Sequence, residues 1–273
     1  MPMALDNLLK AEVYLTYFSK DAYKAARRLY LEAIDTEPEL ARPYTELAYA
    51  VLQAYLYNWY EGKPEDAIQE MKDLVAKALD KDPQDPYNIW VKADVMLYCK
   101  NFDGAHSTYE NALGGAKMLN PTHADEWAYQ VDYADFLLLT GDPKTAISIV
   151  NGVLGSCPLQ EKWFYWVLAW AYYVDEQFDA SLDALSHFRN PRNAMRKNVV
   201  ANLAALGRLS EAQAQATAFL VEEKAQGITY AVQGDLVLPG LSSIEDRVPF
   251  KSPAMLQRWK NDLEKAFDKL VQP

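Results

Sequence analysis

The chain has 273 residues, of which 50% are hydrophobic and 24% charged; this composition is enough for a sizeable core and excludes general disorder. A formal charge of −11 disfavours nucleic acid and anionic membranes as partners, because phosphate groups are bound by basic surfaces. The chain starts without the basic and apolar stretches of a secretion signal, and its longest apolar run is far below the ~20 residues of a membrane helix. We therefore expect a soluble, cytoplasmic protein.

Five segments of the chain end in a similar way, and these ends predict a repeated unit. They fall at intervals of 45, 38, 37 and 33 residues, a spacing typical of stacked supersecondary units. Small residues recur before these ends: Ala93 precedes Ala105 by twelve residues, and Ala134 precedes Ala146 by twelve. The five ends are at Pro38, Pro83, Pro121, Pro158 and Pro191.

Each of these residue types has a place in a pair of antiparallel helices. Alanine lets two helix backbones cross closely, glycine such as Gly141 suits a turn with positive φ, and proline lies just beyond a helix end. The apolar spacing inside the units is also helical. We predict an all-α domain of about six hairpins over residues 1–226.

Two segments depart from this repeated pattern. Residues 57–67 lengthen the turn of the second hairpin, which suggests a lid, and residues 227–251 carry glycines and prolines without helical spacing. A final helix is predicted from Pro253 to Leu270, because Ser252 is a good N-cap and apolar residues then follow on one face. We interpret residues 227–273 as an irregular segment plus a capping helix that covers the last repeat.

The recurring alanines and prolines resemble the tetratricopeptide repeat, a helical hairpin of 34 residues. The resemblance implies a right-handed superhelical solenoid. A closer resemblance is to the tetratricopeptide modules found C-terminal to bacterial class III adenylate cyclase domains and some transcriptional regulators. It is carried by the opening YLTYFSKDAYKAARRLYLEAIDTEPELARPYTELA, by the unit LYCKNFDGAHSTYENALGGAKMLNPTHAD and by the ending RVPFKSPAMLQRWKNDLEKAF. Such modules are regulatory or interaction domains.

Residues suited to catalysis are few and scattered. The histidines His106, His123 and His187 lie in separate units, and neither Cys99 nor Cys157 has a base at a recognisable spacing. No phosphate-binding or nucleophile motif occurs in the sequence. We therefore predict that the protein is not an enzyme, with no catalytic residues, no metal and no cofactor.

The resemblance implies a ligand groove lined by the first helix of each hairpin. The apolar stretch WFYWVLAWAYYV is hydrophobic all round, so some groove aromatics are expected in the core instead. The positions carried over from the family are Arg42, Tyr49, Gln53, Tyr87, Trp90, Asp94, Tyr98, Asp135, Tyr165 and Tyr172.

The groove predicts an adaptor that binds a protein or peptide partner. Asp94 and Asp135 disfavour the acidic chaperone tails that some family members bind, and they favour a basic partner. The alternative is a regulator or sensor whose groove holds a small hydrophobic or cationic ligand.

Overall fold

The computed structural model describes residues 2–119, 124–157, 160–188, 193–225 and 247–267. Within these ranges every regular element is a helix, and no strand occurs. The prediction of an all-α fold built of antiparallel hairpins, with a helix after the last hairpin, is confirmed. The chain divides into two compact units, residues 1–121 (unit 1) and residues 122–273 (unit 2).

Unit 1 is a stack of three hairpins. In each hairpin the two helices pack along each other, and within the unit α2 also packs on α3 and α4 on α5. The helices α3 and α5 are in direct contact as well, so the first helices of adjacent hairpins lie side by side. The pairs are α1 (Pro2–Thr16) with α2 (Lys20–Thr36), α3 (Arg42–Leu56) with α4 (Pro64–Lys81), and α5 (Pro86–Tyr98) with α6 (Phe102–Leu119).

Unit 2 contains three further hairpins and the C-terminal helix. Here too the two helices of each hairpin pack together, and α8 packs on α9 and α10 on α11. The pairs are α7 (Ala124–Thr140) with α8 (Pro143–Ser156), α9 (Lys162–Val174) with α10 (Phe178–Leu185), and α11 (Asn193–Ala205) with α12 (Leu209–Ala225), followed by α13 (Pro253–Phe267).

Proline has two positions in these units. Pro38 and Pro83 lie just beyond the ends of α2 and α4, where a proline cannot continue the helix. Pro64 and Pro86 instead begin α4 and α5, where the missing N–H is not needed. The predicted unit ends at residues 121, 158 and 191 lie outside the described residues.

Every hairpin turn contains a residue with positive φ one or two positions after the end of its first helix. Gly141 and Gly207 have φ of +106° and +74°, as expected for glycines in a left-handed turn position. The other four hairpins place a larger residue there, although such a residue is strained at positive φ. These residues are Phe18, Asn58, Lys100 and Glu176.

The long turn of the second hairpin is packed against the first hairpin. Trp59 is buried, and its ring centroid lies 5.0 Å from that of Phe18. Tyr57 approaches the same Phe18 ring at 4.5 Å, and the Tyr60 hydroxyl donates a hydrogen bond to Glu70 at 2.9 Å. These contacts hold the turn on unit 1 and do not favour the lid interpretation.

The helix α13 packs on α11 and α12 and also reaches α9. The Phe267 ring meets Phe219 of α12 at 5.8 Å, and Trp259 meets Trp170 of α9 at 4.9 Å. A buried hydrogen bond of 2.8 Å joins the Tyr173 hydroxyl of α9 to the Asp262 carboxylate. The capping helix therefore closes the last hairpin and is attached to the one before it.

The residues just before α13 also contact unit 2. The Phe250 ring packs on Trp170 at 6.0 Å, and the Lys251 amide donates to the Leu139 carbonyl at the end of α7, at 2.9 Å. Most of the predicted irregular segment, residues 227–246 of 227–251, lies outside the described residues, as does position 270 of the predicted helix. No helix in the described ranges combines the length and apolar character needed to cross a membrane.

Candidate functional site

Seven of the predicted site residues lie on α3 and α5 of unit 1. On α3, Arg42, Glu46, Tyr49 and Gln53 recur at intervals of three or four residues and therefore share one side of the helix. We define the inner face of unit 1 as the surface formed by residues of three helices. They are these four residues of α3, Glu12 of α1, and Tyr87, Asp94 and Tyr98 of α5.

Arg42 connects three helices at one end of the inner face. Its Nε donates a hydrogen bond of 2.6 Å to Glu46, one helical turn later, and its Nη2 lies 3.7 Å from a Glu12 oxygen of α1. Its guanidinium also lies over the Tyr87 ring of α5, 4.6 Å from the ring centroid. Two carboxylates thus converge on one guanidinium, which leaves the group with one excess negative charge when both are ionised.

Burial changes the electrostatics of this group. Glu46 is 5% exposed, and its burial raises the pKa of the carboxyl above the ordinary value, while the Arg42 guanidinium acts against the rise. Burial likewise raises the pKa of the Tyr87 phenol well above its usual value. Because charges interact more strongly away from water, a cation that reaches these carboxylates is attracted more strongly than at an open surface.

Trp90 and Asp94 are only one helical turn apart, but they lie in different environments. Trp90 is 2% exposed, and its ring packs 4.6 Å from the Tyr109 ring of α6, inside the hairpin. Asp94, one turn later, is half-buried and accepts a 2.5 Å hydrogen bond from the Tyr109 hydroxyl. Trp90 therefore supports the inner face from the core, whereas Asp94 and the partly exposed Tyr98 remain on it.

Tyr49 and Gln53 continue the α3 side of the inner face beyond Glu46. Tyr49 is among the exposed large side chains, at 37%. The Gln53 Oε1 atom is buried and has no hydrogen-bond donor among the residues that the structure describes.

The three predicted site residues of unit 2 have separate surroundings. The Tyr165 hydroxyl donates to Gln160 at 3.0 Å, and its ring stacks on His187 at 3.6 Å. The Tyr172 hydroxyl accepts a 3.3 Å hydrogen bond from Asn151 of α8. Neither is hydrogen-bonded to Asp135 in the described part of the chain, so unit 2 offers no site as well assembled as the inner face of unit 1.

The environment of Asp135 predicts that the stability of the protein depends on pH. Burial alone raises the pKa of its carboxyl from 3.8 to about 7, so the folded protein holds a proton that the unfolded chain releases from about pH 4 upward. Stability therefore falls as the pH rises from about 4 to 7 and then levels off. We expect Asp135→Asn to remove this component, with a gain on the order of 4 kcal/mol over the wild type at pH 8 and none at pH 3, because each pKa unit corresponds to about 1.4 kcal/mol.

Urea unfolding of both proteins across this pH range measures the difference directly. The matched control is Asp142→Asn, an exposed aspartate at the start of α8. A difference between wild type and Asp135→Asn that is the same at pH 3 and pH 8 would contradict a carboxyl that stays protonated in the folded protein.

The other chemically active residues do not form a second site. Within the described ranges no group of three or more His, Cys, Asp or Glu side chains is arranged to hold a metal ion. Cys99 is half-buried and Cys157 is buried, and His106 lies 3.6 Å from Glu110 on the exposed side of α6. A cleft of about 560 Å³ lies between α4 and α5, and none of the predicted site residues lines it.

The crossings within the hairpins hold the small residues of the repeat pattern. Ala93 of α5 and Ala105 and Ala112 of α6 have no exposed surface, and Ala134 and Ala146 are equally buried in the next hairpin. An alanine at these points lets the two backbones approach, as the pattern requires. The chain has a tetratricopeptide-like fold.

Two solved structures are similar to this chain in fold. One is the pilF protein of Pseudomonas aeruginosa, with 12% identity and a TM-score of 0.48 over 82% of this chain and 93% of that chain. The other is TTC0263, a thermophilic TPR protein of Thermus thermophilus, with 12% identity and a TM-score of 0.34 over 95% of this chain and 98% of that chain. No protein-family model and no curated protein matches the sequence. The resemblance to cyclase-linked modules stays a prediction.

Proposed function

We propose that this protein is a non-enzymatic scaffold that binds a protein segment along the inner face of unit 1. The observation that carries the proposal is the convergence of Glu12 and Glu46 on Arg42 over the Tyr87 ring. Helices of three different hairpins supply this group, so it exists only when the hairpins are stacked.

The charge of the inner face favours a segment with lysine or arginine. Glu12, Glu46 and Asp94 outnumber the single guanidinium of Arg42, and a cationic side chain offsets the excess. The aromatic rings of Tyr49, Tyr87 and Tyr98 add contact area and cation–π attraction at a low cost in rotamer entropy. Tyrosine is also enriched among the residues that contribute most to binding.

A peptide suits the inner face because the groups of this surface are spread over several helices. The cleft of about 560 Å³ lies between α4 and α5 and is lined by other residues, including Lys72 and Met96. The inner face presents its acidic and aromatic groups along three helices, α1, α3 and α5, as an extended segment requires.

The test is selection from a random peptide library displayed on phage, followed by measurement of affinity for one selected peptide. We expect the selected sequences to be enriched in lysine and arginine. Asp94→Asn, which keeps an acceptor for the Tyr109 hydroxyl, and Glu12→Gln should each weaken binding by about 3- to 10-fold at low salt, since they remove charge without removing volume.

Salt and a matched surface variant provide the controls. The effect of both substitutions should shrink at high ionic strength, because salt screens exposed charges. Glu110→Gln, on the exposed side of α6, should leave the affinity unchanged. Selected peptides without excess basic residues, or an equal loss with Glu110→Gln, would contradict the proposal.

A further inference from the structure

Most of the large apolar side chains that face solvent in the described residues lie on α1 or directly after it. The described residues contain ten exposed large apolar side chains, and six of them belong to α1 and the residue that follows it. The six are exposed by 41–68%. They are Met3, Leu5, Leu9, Val13, Tyr14 and Tyr17.

The helix α1 is apolar on two opposite sides. Ala4, Leu8 and Ala11 are buried, on the side by which α1 packs on α2. Leu5, Leu9 and Val13 recur every four residues on the opposite side, and we call them the outer stripe of α1. A helix that is apolar on both sides is typical of a position between two packed layers.

The first and last helices of the described chain differ in whether their apolar side chains are covered. At the C-terminal end α13 covers the last hairpin with Trp259, Leu263 and Phe267, all of which are buried. In the described part of the chain no element covers the outer stripe. Repeat arrays need their terminal faces covered or polar, so the outer stripe is suited to a partner surface.

We propose that the outer stripe binds the outer stripe of a second copy of this chain, with the two α1 helices antiparallel. A two-fold pair needs a surface that is complementary to itself. The charges beside the outer stripe meet this requirement. Asp6 and Lys10 lie one turn apart along the same side of the stripe. A two-fold axis near Leu9 places Asp6 of each copy beside Lys10 of the other, and Leu5 against Val13.

The size of the patch sets the strength of the pair. The outer stripe has three side chains on each copy, so its interface is smaller than the about 1,200 Å² at the lower limit for stable specific association. We therefore expect a reversible dimer whose population changes with protein concentration. A helix from an unrelated protein is the alternative occupant, and in that case the isolated chain stays monomeric.

Sedimentation velocity of the full chain between about 1 and 100 µM tests the pair. The average mass of the wild type should rise from 31.0 kDa toward twice that value. Leu9→Asp combined with Val13→Asp should weaken the dimer by about 100-fold or more, because two charges then enter each side of the apolar contact. The control Val221→Asp changes an exposed valine of α12 and should dimerise as the wild type does.

Charge exchange tests the antiparallel arrangement. Asp6→Lys alone and Lys10→Glu alone should each weaken the dimer by about 3- to 10-fold, since each places like charges across the two-fold axis. An equal mixture of the two variants should recover the wild-type affinity, because every facing pair is again opposite. A wild type that is monomeric at all concentrations, a dimer unaffected by the aspartates, or a mixture without recovery would overturn the proposal.

Discussion

Trp90→Ala is expected to lower the free energy of unfolding by about 3–5 kcal/mol, although Trp90 occupies a family contact position. The side chain is 2% exposed and packs on the Tyr109 ring, so the substitution leaves a large cavity between α5 and α6. Equilibrium unfolding in urea, followed by circular dichroism, measures the loss.

The matched control is Tyr49→Ala, on the same inner face but exposed. It should lower the free energy of unfolding by clearly less than Trp90→Ala does, because 37% of its side chain is in solvent. The two variants therefore separate a core aromatic from a contact aromatic. Equal stabilities for Trp90→Ala and the wild type would show that the tryptophan does not support the hairpin.

Deletion of residues 252–273 is expected to destabilise unit 2 by more than about 5 kcal/mol, because it removes several buried aromatic and aliphatic side chains at once. The exposed surfaces of α11 and α12 should then cause aggregation. The deletion also removes the hydrogen bond from Tyr173 to Asp262 and leaves Trp170 without its Trp259 contact. Thermal melting and light scattering report the two effects.

A single substitution in α13 tests the same structural role while changing the protein less. Trp259→Ala should cost about 3–5 kcal/mol, whereas Asn261→Ala, an exposed position on the same helix, should cost little. A deleted chain that stays monomeric and melts at the wild-type temperature would contradict the role of α13 as a structural cap.

The hairpins were predictable from the sequence because their signals are local. The alanine spacing fixes where two helices cross, and Gly141 and Gly207 mark turns with positive φ. The corresponding turns at Phe18, Lys100 and Glu176 carry no such signal, since these residues adopt positive φ only because the adjoining helices impose it. The first hairpin begins at Pro2, and no N-cap residue precedes this position in the sequence.

The site was less predictable, because burial depends on neighbours from other helices. Trp90 and Asp94 lie one turn apart, and only the position of Tyr109 decides which of them is core. Glu46 follows Arg42 by four residues, a spacing from which the ion pair could have been found. Glu12 gave no such signal, since its place beside Arg42 depends on how α1 stacks on α3.

The most direct test of the inner face is photo-crosslinking of a selected lysine-containing peptide. A benzophenone amino acid is introduced at Tyr49, at Tyr98 or at Glu110 in otherwise wild-type protein, and the cross-linked residues are identified by mass spectrometry. We expect cross-links from positions 49 and 98, which flank the predicted path of the peptide, and none from position 110 on α6. Cross-links from position 110, with none from positions 49 and 98, would contradict binding along the inner face.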